Sequence, residues 1–342
     1  MRSLVTGACG FVGAHLLVEL SGAGHDCIAT DLPDVPAEAP GRRRSGAAGA
    51  ASLPAFPRGV AYRSCDILDA ASVKALVASV RPDCIFHLAA QSSAARSLAE
   101  PRRTLETNVF GTLNILEAVR ELAPACPGAK TRSGKVRVLS IGSSEEYGRR
   151  PRAEMPLGED SPIEPASPYA VSKAAQTMLA LQYERCYALD ALATRSFSHT
   201  GPGQSEHFVL PSFARQCAEI KSGTRAPVVT VGNLDAVRDY LDVRDVVRAY
   251  RMIVEDVDEP GVYNVCSGRE LPLREALDFL VAASGAEVKV VEDPALMRPA
   301  DIPLLVGDNA KLRRASGWAP ERTTEMMLAE LFEYWERIAR ER

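Results

Sequence analysis

The chain has 342 residues, of which 46% are hydrophobic and 25% charged, with 24 glycines and 23 prolines. This composition excludes collagen-like, wholly disordered and disulfide-scaffold proteins, and the length suits two domains or one large α/β domain with a lobe. Lys and Arg number 40 against 44 Asp and Glu, giving a net charge of -4, so we expect no nucleic-acid partner.

The eight cysteines form no C-x-x-C pair and do not cluster with the five histidines. This spacing predicts reduced, mostly buried thiols and no metal site. The first residues, MRSLVTGACGFVG, lack the basic region and the long apolar run of a secretion signal, and no stretch approaches ~20 uncharged apolar residues. We therefore expect a cytoplasmic protein that is not embedded in a membrane.

Short apolar runs that suit buried strands alternate with helical patterns in the first half of the chain. The predicted strands are SLVT (3–6), CIAT (27–30), VAYR (60–63), CIFHLAA (84–90), VRVLSIG (136–142) and LATRSF (192–197). Strands that alternate with helices predict βαβ units and a parallel sheet covered on both faces. Residues 32–59, rich in Ala, Gly, Pro and Arg, predict a long surface loop.

The alternation fades after residue 200. Shorter predicted strands, such as VVTVG (228–232) and GVYNV (261–265), are mixed there with helices. This change predicts a smaller lobe that caps the parallel sheet.

The segment TGACGFVG follows the first predicted strand and leads into an amphipathic helix. Glycines in such a turn let it tighten, let backbone N–H groups approach a pyrophosphate, and let the helix pack on the strand. Asp31 ends the next strand, where a carboxylate accepts hydrogen bonds from the hydroxyls of an adenosine ribose. The alternative is a turn with purely structural glycines. The predicted dinucleotide contacts in this region are Gly7, Gly10, Phe11, Val12, Gly13 and Asp31.

Two further stretches fit the same ligand. Asp66 follows the third strand and, with Ile67, is placed to contact the adenine, although N-capping of the next helix is an open alternative for its carboxylate. Leu88, Ala89 and Ala90 end the fourth strand, where small residues leave room for the cofactor's ribose and pyrophosphate. Burial within the sheet would also explain these three residues.

A helix start is predicted in SPYAVSK, with Ser167 as N-cap and Pro168 at the first helical position. Tyr169 and Lys173 then lie on one face, because they are four residues apart. An ammonium beside a phenol favours the phenolate, so we expect Lys173 to lower the pKa of Tyr169 from ~10. This suits proton transfer in the interconversion of an alcohol and a ketone, whereas a solvated helix face is the alternative.

Five motifs occur in a fixed order: TGACGFVG (6–13), HLAAQ (87–91), NVFGT (108–112), SIGSSEEYG (140–148) and YAVSK (169–173). Together they resemble the extended short-chain dehydrogenase/reductase family, which modifies nucleotide-linked sugars, and the resemblance covers nearly the whole chain. It implies that Ser143 hydrogen bonds the reacting oxygen, that Tyr169 is the acid/base, and that Lys173 also holds the nicotinamide ribose. It further implies that Asn108 stabilises the active-site helix through backbone contacts.

Two later segments, 195–216 and 231–250, resemble the GDP-sugar branch of that family. The pattern HTGPGQ followed by FARQ is similar to the 4-keto-6-deoxymannose reductases, whereas GNLDAxRD is shared with the GDP-mannose 4,6-dehydratases. The family usually has Asn where this chain has Ser198, a departure that affects a hydrogen bond to the diphosphate. The substrate contacts implied are Ser93, Ser144, Ser198, Asn233, Arg238, Arg298 and Asp301.

Arg238 and Arg298 suit a sugar diphosphate because a guanidinium fork matches phosphate oxygens in bidentate fashion. Asp301 is placed to orient the second arginine or to accept from a ribose hydroxyl. A surface salt bridge is the alternative for each arginine separately. His199 and His207 are interpreted as hydrogen-bonding or packing residues, and the arginines at 42–44 as a solvated cluster rather than a site for the extra phosphate of NADP.

We therefore predict an α/β protein, a doubly wound parallel Rossmann sheet of about seven strands with a small C-terminal α/β substrate-binding lobe. The domains are 1–195, which binds NAD(P), and 196–342, mainly the lobe, with some chain returning to the first domain. The predicted reaction is NAD(P)H-dependent reduction of the C4 ketone of a GDP-4-keto-6-deoxyhexose by a homodimer. NADH should be tolerated because of Asp31.

Two alternatives remain at this point. A 4,6-dehydratase or epimerase with tightly bound NAD(P) stays open, because dehydratases of the family place a glutamate base where this chain has Glu145. A non-catalytic dinucleotide-sensing protein on the same fold is more remote, because a sensor has no use for an intact Ser143, Tyr169 and Lys173.

Overall fold

The computed structural model describes residues 1–32, 53–122, 128–297 and 302–341. The predictions for Arg298, Asp301 and the arginines at 42–44 fall outside these ranges. Within the described ranges, no helix combines the length and the apolar character needed to cross a membrane.

A seven-stranded sheet forms the centre of the molecule, and all its strand pairs are parallel. Its strands are β1 (Arg2–Thr6), β2 (Asp26–Asp31), β3 (Ala61–Ser64), β4 (Cys84–His87), β5 (Arg137–Ser143), β6 (Asp190–Ser196) and β11 (Gly261–Val265). The order across the sheet is β11-β6-β5-β4-β1-β2-β3, which reverses at β1 and β4 as in a doubly wound nucleotide-binding fold. The predicted fold class is confirmed.

Helices cover both faces of this sheet. They are α1 (Phe11–Gly22), α2 (Ala70–Val80), α5 (Gly111–Leu122), α6 (Pro168–Tyr187) and α8 (Val243–Asp256). On α8, apolar side chains recur at helical spacing, and Val243, Val246, Val247 and Tyr250 are buried in one core with residues of α1. A second core on the opposite face joins α2, α5 and α6 to the sheet.

The connection between β4 and α5 contains three short elements: α3 (Ala94–Ala99), α4 (Pro101–Leu105) and a π-helical turn (Glu106–Phe110). After β5 the chain forms the 3₁₀ turns Ser144–Tyr147 and Arg152–Glu154. These elements lie at the carboxyl ends of the sheet strands, where ligands bind in doubly wound folds.

A second lobe has a core of its own. After β6, and besides α8 and β11, the chain forms β7 (Ser198–Thr200), α7 (Val209–Lys221), β8 (Val228–Val231), β9 (Val237–Arg238), β10 (Tyr240–Asp242), β12 (Leu271–Pro272), α9 (Leu273–Ser284), β13 (Lys289–Glu292), a 3₁₀ turn (Pro294–Leu296), β14 (Leu304–Leu305), α10 (Ala310–Ser316) and α11 (Thr324–Arg340). Packing of α7 against α9 and α11 forms the centre of this lobe. Not all of the second half belongs to it, because β11 is the edge strand of the central sheet and α10 packs on α8 and β11.

Candidate active site

The turn between β1 and α1 is built so that two backbone segments touch. Gly7 has a φ of +67°, and a Cβ added there would lie 2.8 Å from the backbone nitrogen of Ala89. A Cβ at Gly13 would lie 2.4 Å from the carbonyl oxygen of Gly7, and Gly10 serves as the N-cap of α1 without any side chain. The turn therefore leaves its N–H groups at the helix start accessible to an anion, which fits a dinucleotide pyrophosphate.

Asp31 lies at the carboxyl end of β2, beside this turn. Its Oδ2 accepts a hydrogen bond from the backbone N–H of Cys9 at 3.0 Å, and its Oδ1 accepts one from the N–H of Leu32 at 2.9 Å. These two contacts fix the carboxylate beside the glycine turn. An oriented carboxylate at this point fits the ribose of an adenosine.

Asp66 is not the N-cap of the next helix. The cap of α2 is Asp69, whose side chain accepts from the N–H groups of Ala71 and Ser72. The capping alternative for Asp66 is therefore wrong, although its Oδ1 still accepts from the N–H of Leu68 at 2.9 Å. Ile67 beside it is buried.

The segment Leu88, Ala89 and Ala90 lies beyond β4 rather than at its end. β4 stops at His87, because the N–H of Ala89 donates to Oγ1 of Thr6 instead of continuing the sheet ladder. The three residues are half-buried and face the glycine turn through Ala89.

His87 is a buried residue that links the sheet to the helices. Its Nδ1 is 2.9 Å from Oγ1 of Thr6, and its Nε2 is 3.0 Å from Oγ1 of Thr112. Burial, together with the positive charge of Lys173, lowers the pKa of His87 to about 3, so the ring is neutral at physiological pH. The sequence analysis named this histidine only as part of a motif.

The structure brings Ser143, Tyr169 and Lys173 together. Ser143 is the last residue of β5, whereas the other two lie in the first turns of α6, whose N-cap is Ser167 and whose first residue is Pro168, as predicted. The side chain of Ser143 lies close enough to the hydroxyl of Tyr169 to lower its pKa. The ammonium of Lys173 lies 5.9 Å from the centre of the Tyr169 ring.

The expected lowering of the Tyr169 pKa is wrong for this structure. Burial raises the pKa of Tyr169 well above its usual value, the charge of Glu145 raises it further, and only the side chain of Ser143 opposes them. Lys173 donates to the carbonyl oxygen of Ile141 at 2.9 Å instead of contacting the phenol oxygen. The pKa of Lys173 is lowered to about 8. Burial lowers it, and the charge of Glu146 offsets part of that effect. The phenol therefore holds its proton, as a proton donor requires.

Asn108, in the π-helical turn, connects α6 to the loop after β4. Its amide nitrogen donates to Oγ of Ser172 at 2.8 Å and to the carbonyl oxygen of Gln91 at 3.1 Å. Ser172 in turn donates to the carbonyl oxygen of Tyr169 at 2.7 Å. Asn108 therefore supports the first turn of α6 through the side chain of Ser172, whereas its backbone contacts are to Gln91 in the loop after β4.

Two charged residues beneath the site were missed by the sequence analysis. Glu146 and Arg195 form a buried ion pair, with Nε of Arg195 3.0 Å from a carboxylate oxygen of Glu146. A signal was present, since Ser143 and Glu146 are three residues apart and form a capping box at the 3₁₀ turn. The neighbouring Glu145 is half-buried, on the side of Tyr169.

On the substrate side, Arg238 lies in β9 and is half-buried. The adjacent Asp239, which the sequence analysis did not select, is fully buried and accepts from the N–H and Oγ of Ser267 and from the N–H groups of Gly268 and Gly307. Asp239 thus joins three chain segments around β9. Asn233 accepts from the N–H of Asp235 at 2.9 Å.

The remaining predicted substrate residues take different positions. Ser93 is the N-cap of α3, Ser144 is buried in the 3₁₀ turn, and Ser198 is half-buried at the start of β7. His199 stacks on Phe11 with ring centroids 6.3 Å apart, a packing role. Among the residues that the structure describes, no group of three or more His, Cys, Asp or Glu side chains is placed to hold a metal ion.

Comparison with known proteins points to one family. The family model described as "GDP-mannose 4,6 dehydratase" matches residues 4–331 of this chain. The GDP-6-deoxy-D-mannose reductase of Pseudomonas aeruginosa is 35% identical over 340 residues, which cover 99% of both chains. The GDP-mannose 4,6-dehydratase of Vibrio cholerae serotype O1 is 30% identical over 295 residues, covering 78% of this chain and 76% of its own.

Solved structures agree with this result. RMD from Pseudomonas aeruginosa, complexed with NADPH, superposes with a TM-score of 0.78 at 34% identity, covering 98% of this chain and 99% of its own. The UDP-glucose 4-epimerase of Thermotoga maritima, solved with UDP-glucose, gives a TM-score of 0.82 at 27% identity over the same shares of the two chains.

Proposed function

Because this chain belongs to the GDP-mannose 4,6-dehydratase family of extended short-chain dehydrogenases/reductases, we propose that it reduces the C4 ketone of a GDP-4-keto-6-deoxyhexose with NAD(P)H. The product is a GDP-6-deoxyhexose of the GDP-rhamnose type. The observation that supports this most is the juxtaposition of Ser143, Tyr169 and Lys173 at the end of β5 and the start of α6, in a chain that a reductase matches over 99% of its length. The dehydratase relatives match a smaller share, 78% of this chain.

The cofactor residues of the proposal are those around the glycine turn. Gly7, Gly10 and Gly13 leave N–H groups for the pyrophosphate, and Asp31 faces the adenosine ribose. Bound there, the reduced nicotinamide supplies the hydride. The proposed contacts extend to Phe11, Val12, Asp66, Ile67, Leu88, Ala89 and Ala90.

The proton is the part of the reaction that this chain supplies. As the ketone oxygen gains negative charge, Tyr169 donates its phenolic proton to it, and Ser143 hydrogen bonds the same oxygen. The raised pKa of Tyr169 keeps the proton on the phenol until that charge develops. Lys173 holds the ribose of the cofactor, and its ammonium, 5.9 Å from the centre of the Tyr169 ring, offsets at longer range the negative charge of the phenolate that remains.

The substrate residues of the proposal lie mainly in the second lobe. Arg238 is the proposed diphosphate contact, and Asp239 fixes the strand that presents it by accepting hydrogen bonds from two loops. Arg298 and Asp301 are also proposed as substrate contacts. The remaining proposed contacts are Ser93, Ser144, Ser198 and Asn233.

A second candidate function rests on Glu145. Its carboxylate lies close enough to Tyr169 for its charge to raise the pKa of the phenol. A carboxylate beside the sugar can remove a proton from carbon, as the elimination of water requires. The competing proposal is a GDP-mannose 4,6-dehydratase or an epimerase, in which the cofactor is reduced and reoxidised within one turnover.

We further propose a homodimer formed through α6. Val171 and Met178 are seven residues apart, lie on one face of that helix, and are 44% and 55% exposed. Leu105 and Phe110, on the neighbouring α4 and π-helical turn, are also exposed. Apolar side chains gathered on adjacent helices are typical of a surface that a second copy covers. A cytoplasmic location stays a prediction from the sequence.

The decisive experiment is an incubation with NAD(P)H and separate candidate GDP-sugars, followed by mass analysis. A GDP-4-keto-6-deoxyhexose should gain two hydrogen atoms while one NAD(P)H is consumed per product. Loss of water from GDP-mannose without net consumption of NAD(P)H would instead support the second candidate.

A further inference from the structure

The carboxylate of Glu146 is fully buried directly behind Ser143. Its Oε1 accepts from the backbone N–H of Ser143 at 2.9 Å and from Oγ1 of Thr177 at 3.1 Å, and its Oε2 accepts from Nε of Arg195 at 3.0 Å. A Cβ added at Gly142 would lie 2.4 Å from Oε1, so the glycine leaves the space that the carboxylate occupies. One side chain thus joins the end of β5 to α6 and β6.

Arg195, the ion-pair partner of Glu146, also makes contacts with two other residues. Nη1 of Arg195 donates to the hydroxyl of Tyr147 at 3.2 Å and to the carbonyl oxygen of Glu159 at 2.8 Å. Its guanidinium also lies 4.7 Å from the centre of the Tyr147 ring. Arg195 is therefore held by several partners, and Glu146 is held in turn.

Glu146 is also the anion that acts on Lys173. Within the described ranges, the titratable groups that face this lysine are Glu146 from the 3₁₀ turn, His87 from β4 and Tyr169 from its own helix. His87 is neutral, and the phenol holds its proton. Lys173 is only 4% exposed, and its ammonium donates to the carbonyl oxygen of Ile141, so Glu146 supplies the negative charge that compensates it.

We propose that Glu146 is a positioning residue for the catalytic group: it fixes the backbone of Ser143 and keeps Lys173 in the ammonium form. This inference rests on the proposed function, in which Ser143 and Lys173 act on the reacting oxygen and on Tyr169. Glu145, its neighbour in sequence, is half-buried and acts more strongly than Glu146 on the pKa of the Tyr169 phenol. We therefore assign the two adjacent glutamates separate tasks.

The chain offers a matched control. Arg137 and Asp190 form a second buried ion pair between the same two strands, with Nε of Arg137 2.9 Å from a carboxylate oxygen of Asp190. This pair lies at the first residues of β5 and β6, at the opposite end of the sheet from Ser143. Asp190→Asn thus removes a buried carboxylate without touching the site, as Glu146→Gln removes one beneath it.

The first test measures the titration of Lys173 in the full chain and needs no substrate. With ¹³C-labelled lysine, the seven lysines give separable signals, and Lys173→Arg identifies the one required. The wild-type lysine should titrate near pH 8. Without the negative charge the ammonium is less stable, so Glu146→Gln should move the midpoint down by about one pH unit. Asp190→Asn should leave it unchanged.

The second test separates charge from position and uses a variant that keeps the buried charge. Glu146→Asp should leave the Lys173 midpoint near the wild-type value, but its shorter carboxylate withdraws from Ser143. The kcat for ketone reduction should then fall about 10-fold or more, because a misplacement of ~1 Å can cost ~10²-fold.

The proposal is overturned if Glu146→Gln leaves the Lys173 midpoint in place, if Asp190→Asn shifts it equally, or if Glu146→Asp retains the wild-type kcat. If Glu146→Gln does not fold, the kcat of Glu146→Asp still decides the positioning part. If the proposed substrate is wrong, the titration of Lys173 is unaffected, because it needs no substrate. Failure of the proposed function can therefore be distinguished from failure of the proposed role of Glu146.

Discussion

The hydroxyl of Tyr169, at the start of α6, lies close enough to the side chain of Ser143, at the end of β5, for Ser143 to lower the pKa of the phenol. Since burial raises the pKa of that phenol, the phenol holds its proton. The pair can therefore approach a ketone oxygen together, one residue as proton donor and the other as hydrogen-bond partner.

Tyr169→Phe should preserve folding and cofactor binding but reduce turnover by ~10²- to 10⁴-fold, because it removes an acid and almost no volume. NAD(P)H consumption with a GDP-4-keto-6-deoxyhexose measures the loss, and cofactor fluorescence monitors binding. A variant with nearly wild-type turnover would show that Tyr169 is not the acid.

Glu145→Gln tests reductase against dehydratase. If the protein is a reductase, Glu145 is a polar neighbour of the sugar, and this variant should lose less activity than Tyr169→Phe does. The assay follows both NAD(P)H consumption and the mass of the nucleotide sugar. The opposite result is dehydration of GDP-mannose by the wild type that Glu145→Gln abolishes, which would identify Glu145 as the elimination base.

We expect Asp31 to influence the choice of cofactor. A carboxylate held beside the glycine turn accepts from a free 2′-hydroxyl but repels a 2′-phosphate, so kcat/KM with NADH should at least equal that with NADPH. The relative from Pseudomonas aeruginosa was solved with NADPH, which makes the measurement informative. A strong preference for NADPH that disappears when the arginines at 42–44 become serine would assign the phosphate to that loop.

Gly13→Ala should weaken the binding of NAD(P)H. Its Cβ would lie 2.4 Å from the carbonyl oxygen of Gly7, so the turn must shift, and the dissociation constant should rise by about 10-fold or more. Gly22→Ala, at the end of the same helix, is the control because nothing lies within 4 Å of the added carbon. Equal binding by the two variants, measured by titration calorimetry, would contradict the pyrophosphate assignment.

Met178→Glu should break the proposed homodimer, because it places a charge in the centre of the exposed face of α6. Light scattering after gel filtration gives the mass of each variant. Met326→Glu is the matched control, since Met326 is also exposed, at 46%, but lies on α11 in the other lobe. A wild-type mass equal to that of one chain would rule out the dimer.

Much of the fold could be predicted because buried parallel strands are short apolar runs between helical patterns. All six strands predicted in the first half occur, and GVYNV forms a seventh strand in the same sheet. The end of β4 was placed too late, at residue 90, because a hydrogen bond from Ala89 to a side chain on β1 is invisible in a pattern of apolar residues.

Site residues with recognisable motifs could be named in advance, whereas their electrostatics could not. The four-residue spacing of Tyr169 and Lys173 was enough to place them on one helix face, but not to show that Lys173 donates to Ile141. Glu146 was missed because two adjacent glutamates suggest a solvated surface. Its burial depends on Arg195, a residue on the next strand that comes close only in the folded chain.

The return of β11 to the central sheet has a consequence for how this protein can be altered. A single splice near residue 195 would leave the cofactor sheet without its edge strand and one of its faces without α8. The second lobe is thus not a contiguous module that recombination can exchange in one step. A change to the second lobe would therefore have to be made by point substitutions or loop insertions that leave β11 and α8 in place.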